Sequence, residues 1–255
     1  MDAGTPVALV TGASRGIGRA TARALHAAGF RLALAARSEP GLVDLARELG
    51  GGAGIFCRAV DVRNEDAVSA FVEASAAQFG RLDLLVANAG VGGGGRTYAE
   101  MAPGAEREIL ETNLLGALHC VRAALPRMLG QGRGSIVLVS SVAGEVAMPG
   151  SAVYSASKSA LLRFAQGLRQ ELRGRGVRVS VVLPGFVRTD MTEGNNLPMP
   201  GPEVVARAVL RAYRSGRRSI VVPWAYRLAI LLARAAPGAV DLVAAGVLRG
   251  MRQDR

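Results

Sequence analysis

The chain has 255 residues, 50% of them hydrophobic and 20% charged, with a formal net charge of +11. This length suits one large α/β domain or two small ones, and it can bury a sizeable core. The charge is uneven, since residues 202–255 hold ten arginines and three carboxylates and so carry +7 of the +11. The remaining body is mildly basic and lacks aromatic stacking platforms, which argues against nucleic acid as a partner.

Several other classes of protein are disfavoured by the sequence. Cys57 and Cys120 lie far apart with no pairing pattern, which is typical of reduced cysteines in a cytoplasmic protein. The first residues show neither the basic nor the apolar region of a signal peptide. No apolar run reaches the ~18 residues that a membrane span needs. No cluster of metal-ligating residues is present in the sequence, so we expect no metal.

Short apolar runs alternate with longer amphipathic stretches along the chain. The apolar runs predict seven strands, at Val7–Thr11, Arg31–Ala36, Ile55–Val60, Leu82–Ala87, Ser135–Ser140, Val177–Leu183 and Ser219–Val222. Helical periodicity lies between them, at residues 16–28, 40–49, 64–79, 104–130, 152–174 and 203–214. Strands that are apolar on both faces are typical of parallel sheets. The pattern therefore predicts an α/β fold, a single doubly wound Rossmann-type domain over residues 1–222, whose seven-stranded parallel sheet has helices on both faces.

The first predicted strand runs directly into a glycine-rich turn and then into a helix. Three glycines in this turn let the backbone approach a diphosphate, and the helix N-terminus supplies free N–H groups. The sequence therefore predicts a nucleotide cofactor site that includes Gly12, Ser14, Arg15, Gly16, Ile17 and Gly18.

The end of the second strand bears on which nucleotide is bound. A fold that binds NAD usually carries an acidic residue there to hold the ribose 2′-hydroxyl. This chain has Ala36-Arg37-Ser38 instead, and Arg15 approaches from the glycine turn. Two guanidinium groups around one position suit a 2′-phosphate. The sequence therefore favours NADP(H) over NAD(H).

Lys158 is the only lysine among 31 basic residues, and it lies four residues after Tyr154. On a helix, this spacing puts both side chains on one face, one turn apart. A nearby cation favours the phenolate, so we expect Lys158 to lower the pKa of Tyr154. A compact ammonium suits such a site better than the wide fork of arginine. The alternative is a chance pairing, because a Tyr and a Lys four residues apart form a weak motif alone.

Several motifs appear in a fixed order. The glycine turn is followed by Asp61-Val62 after the third strand and Asn88-Ala89-Gly90 after the fourth. Asn113, Ser140-Ser141, Tyr154 with Lys158, and Pro184-Gly185 follow. In this order and spacing, the chain resembles the short-chain dehydrogenase/reductase family over about residues 5–222.

The resemblance implies roles for the matching residues. Ser141 and Tyr154 would donate hydrogen bonds to the substrate oxygen, with Tyr154 as general acid or base. Lys158 would also bind the nicotinamide ribose, and Asn113 would hold a water that links Lys158 to solvent. The remaining positions would contact the cofactor. Asp61 and Val62 would lie at the adenine, Asn88, Ala89 and Gly90 along the adenosine, and Pro184, Gly185, Val187 and Thr189 at the nicotinamide.

The resemblance also implies an NADP(H)-dependent oxidoreductase that interconverts a ketone or aldehyde and an alcohol by hydride transfer. We expect a small apolar substrate, bound between Val91–Thr97, Val142–Gly150 and Phe186–Pro200. One alternative is a reductase of 3-oxoacyl thioesters on acyl carrier protein or coenzyme A. Another is a nucleotide-sensing protein without catalysis. A homodimer or homotetramer is expected.

The tail, Pro223–Arg255, extends beyond this family core. Trp224, Leu228, Leu231 and Leu232 share one face of a predicted helix, while Arg227 and Arg234 share another. Pro237-Gly238 ends this helix before a second apolar stretch, Val240–Leu248. The two helices would make a peripheral contact with a membrane interface, or they would cover a subunit interface or the substrate pocket.

Overall fold

A computed structural model describes residues 4–192, 198–242 and 244. Its strands are β1 (Val7–Thr11), β2 (Arg31–Ala36), β3 (Ile55–Ala59), β4 (Leu84–Ala87), β5 (Gly134–Val139), β6 (Val177–Pro184) and β7 (Ser219–Val222). Its α-helices are α1 (Gly16–Ala27), α2 (Glu39–Glu48), α3 (Glu65–Phe79), α4 (Ala105–Leu110), α5 (Gly116–Gly130), α6 (Ala152–Glu171), α7 (Glu203–Ser215) and α8 (Tyr226–Ala235).

All seven strands lie in one parallel sheet, in the order β3-β2-β1-β4-β5-β6-β7. The predicted fold class is therefore confirmed. The chain winds outward from β1 to β3 and then crosses to β4 on the other side of β1. The connections leaving β1 and β4 diverge at their carboxyl ends, and this switch point is where open α/β sheets bind ligands.

Side chains alternate between two cores, one on each face of the sheet. In β1, Val7 and Leu9 join the core beneath α3, α5 and α6. Ala8 and Val10 join the core beneath α1, α2 and α7. Every residue of β1 is buried, which explains why the strand reads as a continuous apolar run.

The long helix predicted over residues 104–130 differs from the structure in one respect. A π-helical turn (Glu111–Leu115) separates α4 from α5. Such turns insert one residue into a helix and are frequent at functional sites. Here the turn carries Asn113, so the interruption falls at a predicted catalytic residue. Other boundaries differ by a few residues; α6, for example, ends at Glu171 before Gly174, whose φ is +78°.

The tail begins as predicted, with one small difference. Helix α8 ends at Ala235, and Ala236 leaves the helical region with φ −140° and ψ 68°. Helical geometry resumes at Pro237, which is tolerated in a first turn. The break therefore lies just before Pro237. Most of the second predicted stretch, Val240–Leu248, lies outside the described residues, and the division at residue 222 stays a prediction.

Candidate active site

The glycine turn forms a backbone cradle between β1 and α1. Gly12 has φ +66°, and a Cβ there would lie 2.9 Å from the Ala89 Cα atom. A Cβ on Gly18 would lie 2.0 Å from the Gly12 carbonyl oxygen. Arg15 precedes α1 without a side-chain cap on the helix. The first N–H groups of α1 therefore point into a space that only glycine leaves open, which fits a dinucleotide diphosphate.

The end of β4 is fixed to this cradle by hydrogen bonds. The Thr11 hydroxyl accepts from the backbone N–H groups of Asn88 and Ala89, at 3.1 and 3.2 Å. The Asn88 amide donates to the carbonyl oxygens of Thr11 and Gly12, at 2.9 and 3.3 Å. Asn88 and Ala89 therefore hold the two strands on either side of the switch point, as their predicted position along the adenosine requires.

The adenine end of the cleft carries Asp61 after β3. Arg63 donates to both Asp61 oxygens, with the shortest N–O distance 2.6 Å. This guanidinium is the main reason that the pKa of Asp61 is lowered, so its carboxylate stays ionised and able to accept a hydrogen bond. The adjacent Val62 is buried against Gly116, and its carbonyl oxygen lies 3.0 Å from His119 Nδ1.

The two arginines expected around a 2′-phosphate each lie beside a carboxylate. Arg37 lies 3.7 Å from Glu108 on α4, and Arg15 lies 2.9 Å from Asp190 after β6. All four side chains are about half exposed or more, so each pair contributes at most about 1 kcal/mol. Both guanidinium groups can therefore exchange their carboxylate for a phosphate at little cost.

Tyr154 and Ser141 meet at the carboxyl end of β5. The Ser141 hydroxyl accepts from the Ala143 N–H at 3.1 Å and donates to the Pro184 carbonyl oxygen at 3.3 Å. It also lies within hydrogen-bonding reach of the Tyr154 phenol, and its single proton can turn from the long Pro184 contact towards the phenol. The structure thus brings the two hydroxyl groups together, and their role as donors to a substrate oxygen stays a prediction.

Lys158 is buried, with its side chain beside that of Tyr154. The Lys158 Nζ atom lies 5.8 Å from the centre of the Tyr154 ring and donates to the Val139 carbonyl oxygen at 3.1 Å. The ammonium lies beside Gly90, where a Cβ would be 3.4 Å from Nζ, and the Lys158 backbone packs closely on Gly144. Because a guanidinium is wider than an ammonium, we expect arginine to disturb this buried contact with Val139.

The pKa values of this pair differ from the sequence expectation. Burial raises the pKa of Tyr154 above its usual value, and the hydrogen bond from Ser141 offsets only part of this rise. Burial also lowers the pKa of Lys158 to about 8. The net pKa of Tyr154 is therefore raised and not lowered, because loss of solvent around the phenol outweighs the hydrogen bond with Ser141, and the expected lowering by Lys158 stays a prediction. Tyr154 is a neutral phenol near pH 7.

Asn113 is fully buried in the π-helical turn. Its Oδ1 atom accepts from the Val91 N–H at 2.7 Å, and its amide donates to the Val91 carbonyl oxygen and to Ser157 Oγ. Both amide protons are thus used, and Oδ1 has one lone pair left for a water. The side chain anchors the chain leaving β4, while its expected role in a proton relay stays a prediction.

The predicted nicotinamide residues follow β6. The Gly185 N–H donates to the Val222 carbonyl oxygen at 2.8 Å, and Val187 is buried. Thr189 faces the glycine turn, since a Cβ on Gly16 would lie 3.4 Å from its methyl carbon. This segment and the glycine turn therefore approach each other, and the contact of this segment with a nicotinamide stays a prediction.

The predicted substrate segments also come together. A groove beside the catalytic tyrosine is lined by Gly93, Arg96, Tyr98, Met101 and residues 150–154. Met191, in the third predicted segment, reaches across to the post-β4 chain, where a Cβ on Gly92 would lie 3.2 Å from its Cγ. Asn195, Asn196 and Leu197 lie outside the described residues. The lining is mixed and not mainly apolar, and Arg96 gives it a cation that the sequence interpretation missed.

Three further residues support the site and were not predicted. The Ser157 hydroxyl donates to the Tyr154 carbonyl oxygen at 2.6 Å, and the Ser140 hydroxyl donates to the Lys158 carbonyl oxygen at 2.8 Å. Tyr226 of α8 packs flat on Gly185, where a Cβ would lie 2.3 Å from its ring. Ser140 and Ser157 are each next to a predicted catalytic residue in the sequence, and this was the one signal that could have indicated their roles. No sequence motif links Tyr226 with Gly185.

The cleft joins a dinucleotide cradle to a tyrosine, serine and lysine set, which together define a nicotinamide-dependent oxidoreductase. Comparison with known sequences agrees, since the profile of short chain dehydrogenases matches residues 6–199. The chain belongs to the short-chain dehydrogenase/reductase family.

Individual relatives span most of the chain. An uncharacterized oxidoreductase of Myxococcus xanthus is 40% identical over 252 residues, which cover 95% of this chain and 97% of the relative. A 3-oxoacyl-[acyl-carrier-protein] reductase of Synechocystis is 40% identical over 193 residues, which cover 74% of this chain and 77% of the relative.

Solved structures give the same result. A short chain dehydrogenase of Burkholderia cenocepacia in complex with NADP superimposes with a TM-score of 0.84 at 30% identity, covering 96% of this chain and 99% of the other. A family member from Burkholderia phymatum in complex with NAD also gives 0.84, at 28% identity, covering 94% and 96%. Relatives of this fold therefore bind either nucleotide.

Proposed function

We propose that the protein is an NADP(H)-dependent oxidoreductase that reduces a ketone or aldehyde to an alcohol. The observation that carries this proposal is the hydrogen-bonded pair of Ser141 and neutral Tyr154, with the buried Lys158 beside it. A nucleotide-sensing protein without catalysis does not need these three groups at one cleft.

The chemistry follows from the positions of these groups. A reduced nicotinamide held beside the segment after β6 would supply a hydride to the carbonyl carbon, so that negative charge would develop on the carbonyl oxygen. Ser141 Oγ would turn its proton from the weak contact with Pro184 towards that oxygen and stabilise the charge. Tyr154 Oη would donate its proton to the same oxygen as a general acid, which leaves a phenolate. The Lys158 ammonium, beside the ring, would stabilise this phenolate, and a proton that reaches the site from solvent would restore the phenol.

The protonation state of Tyr154 supports the reductive direction. Because burial raises its pKa, the phenol holds its proton at neutral pH and serves as a ready acid. Alcohol oxidation needs the phenolate, and this form requires a higher pH.

The preference for NADP(H) rests on the surroundings of the end of β2. Arg37 takes the place of an acidic residue, and Ser14 lies beside the first turn of α2, where a Cβ on Gly41 would be 2.9 Å from Ser14 Cβ. Pro40 has no N–H, and the Gly41 N–H is already bonded to the Ser38 hydroxyl at 3.3 Å, so the Arg37 guanidinium is the main group offered to a phosphate at this end of the cleft. A guanidinium suits a 2′-phosphate.

A second candidate is reduction of 3-oxoacyl thioesters. Relatives at 37–42% identity carry the name 3-oxoacyl-[acyl-carrier-protein] reductase. In this chain Arg96 lies exposed in the groove next to Tyr154, where it could pair with the phosphate of a carrier arm. Simple apolar ketones have no group for this cation.

One experiment tests both candidates. Purified protein is mixed with NADPH and a panel of ketones, aldehydes and 3-oxoacyl thioesters, and NADPH absorbance is followed. Turnover that is absent in Tyr154→Phe supports the proposed reductase, and no turnover on any carbonyl in the panel contradicts it. Arg96→Ala separates the candidates, because thioester reduction should weaken by about tenfold while ketone reduction is unchanged.

A cytoplasmic location and a homodimer or homotetramer remain predictions. Both cysteines are free, with Cys120 buried, and this suits a reducing compartment.

A further inference from the structure

Large exposed apolar side chains are concentrated after β7. Of the eleven in the described residues, five lie between residues 224 and 242. Four of them are Trp224, Leu228, Leu231 and Leu232, each 60–77% exposed. Isolated exposed leucines are common on proteins, but a contiguous group marks an interaction surface. We call these four side chains, three on α8 and Trp224 in the turn just before it, the α8 apolar face.

Helix α8 is held against the protein by its opposite side. Ile230 is buried, and Tyr226 packs on Gly185 with its hydroxyl 3.4 Å from the Phe186 N–H. Arg234 forms an ion pair with Glu145, in the segment after β5, at 2.7 Å. Since these contacts fix the rotation of the helix, the α8 apolar face is turned outward by the fold.

Arginines border the α8 apolar face. Arg227 and Arg234 lie on the helix between its buried and its apolar sides, so their guanidinium groups flank the exposed leucines. Residues 204–240 contain seven arginines and no aspartate or glutamate. An apolar strip beside cationic side chains matches the boundary of an anionic bilayer, where acyl chains meet negative headgroups.

We propose that the α8 apolar face binds the surface of an anionic lipid bilayer, with Trp224 and the three leucines in the interface and the arginines at the headgroups. No helix in the described part of the chain is long and apolar enough to cross a membrane, so this contact is peripheral.

A second copy of the chain fits this face less well. A two-fold contact would place the same patch on both sides, so Arg227 of each copy would approach the cationic surroundings of the other. The stretch 204–240 offers no carboxylate to pair with it. A lipid surface supplies dense negative charge, whereas the nearby carboxylates of a second copy are Asp241 and Glu145, and Glu145 is already paired with Arg234.

Trp224 makes the proposal directly measurable, because it is the only tryptophan of the chain. Full-length protein is added to vesicles of phosphatidylcholine alone and to vesicles with phosphatidylglycerol. We expect a blue shift of the tryptophan emission and co-sedimentation with the anionic vesicles only. High salt should weaken the binding, since the headgroup contact is electrostatic.

Two matched double variants distinguish binding through the α8 apolar face from non-specific hydrophobic binding. Leu228→Ser with Leu231→Ser should lower the partition constant by at least about tenfold, because two buried leucines are lost from the interface. Val43→Ser with Leu110→Ser, exposed apolar positions elsewhere, should leave it unchanged. Thermal unfolding of both double variants checks that each is folded.

Three results would overturn the proposal. The first is an unshifted emission with anionic vesicles, and the second is equal binding to neutral vesicles. The third is a dimer in sedimentation equilibrium that Leu228→Ser with Leu231→Ser dissociates, because the face would then be an interface between copies.

Discussion

The two ends of the cofactor cleft are built differently. At the nicotinamide end, Tyr154, Lys158 and Asn113 lie in a network of short hydrogen bonds to the backbone, with Lys158 and Asn113 buried. At the expected adenosine end, Arg37 is exposed and holds Glu108 by a surface ion pair, and Arg15 makes a similar exposed pair across the cleft with Asp190 after β6. Buried networks fix geometry, whereas exposed pairs are weak and exchangeable. Under the proposed function, reaction chemistry falls to the rigid end and nucleotide choice to the adaptable arginines.

The largest effect should come from removing the acid at the rigid end. We expect Tyr154→Phe to lower kcat by about 10²–10⁴-fold, the usual contribution of a positioned acid. The Kd for NADPH, measured by fluorescence titration, should stay within about twofold, because the phenyl ring is retained. A variant with near-normal turnover would remove Tyr154 from the mechanism.

Lys158→Arg tests whether the rigid end tolerates a cation of another shape. The ammonium is buried and donates to the Val139 carbonyl oxygen, and the wider guanidinium fork would move the charge from this position. We expect kcat to fall by about a hundredfold, since misplacement by about 1 Å can cost this much. Arg47→Lys, on the exposed surface of α2, is the control, because it exchanges the same two cations away from the site and should leave kcat unchanged. Full activity in Lys158→Arg would show that charge alone suffices.

The pKa of Lys158 predicts a pH profile. With a pKa of about 8 in the free protein, Lys158 is charged below that pH and neutral above it. We therefore expect kcat/KM for NADPH, which reports on the free enzyme, to fall about tenfold per pH unit above about pH 8. The residual activity of Lys158→Arg should not fall above pH 8, because arginine does not titrate in this pH range. A flat wild-type profile from pH 7 to 10 would contradict the assignment.

Arg37→Ala tests the adaptable end. Loss of a charge-assisted contact at a half-exposed site should weaken NADPH binding by about tenfold and leave NADH binding unchanged. Arg47→Ala is the matched control, since it removes another exposed arginine in the last turn of α2, away from the cleft. Equal losses for the two nucleotides would mean that Arg37 does not read the 2′-phosphate.

The smallest effect is expected from Asp190→Asn. In the structure Arg15 must leave Asp190 before it can meet a phosphate, and this exposed pair is worth at most about 1 kcal/mol. Neutralising Asp190 should therefore tighten NADPH binding by up to about fivefold. Arg15→Ala should have the opposite effect and weaken NADPH binding. Weaker NADPH binding in Asp190→Asn would contradict this prediction and show that the carboxylate itself supports the cofactor site.

The same contrast explains what the sequence could and could not predict. The strands were readable because a parallel sheet buries both faces of β1, and the glycine turn because each glycine answers a steric demand. The π-helical turn at Asn113 was not, since one inserted residue leaves the apolar periodicity nearly intact. The direction of the Tyr154 pKa was also missed, because it depends on burial created by distant segments.

One line of contacts joins the two strand ends that the cleft separates. Val91 after β4 holds Asn113, Asn113 holds Ser157, and Ser157 holds the backbone of Tyr154. Because each link is short and largely shielded from solvent, the nucleotide-facing end of β4 and the tyrosine helix form one mechanical unit. The amide hydrogens of the two segments should exchange with solvent in a single cooperative opening. A change that loosens either segment should therefore displace both the end of β4 and Tyr154.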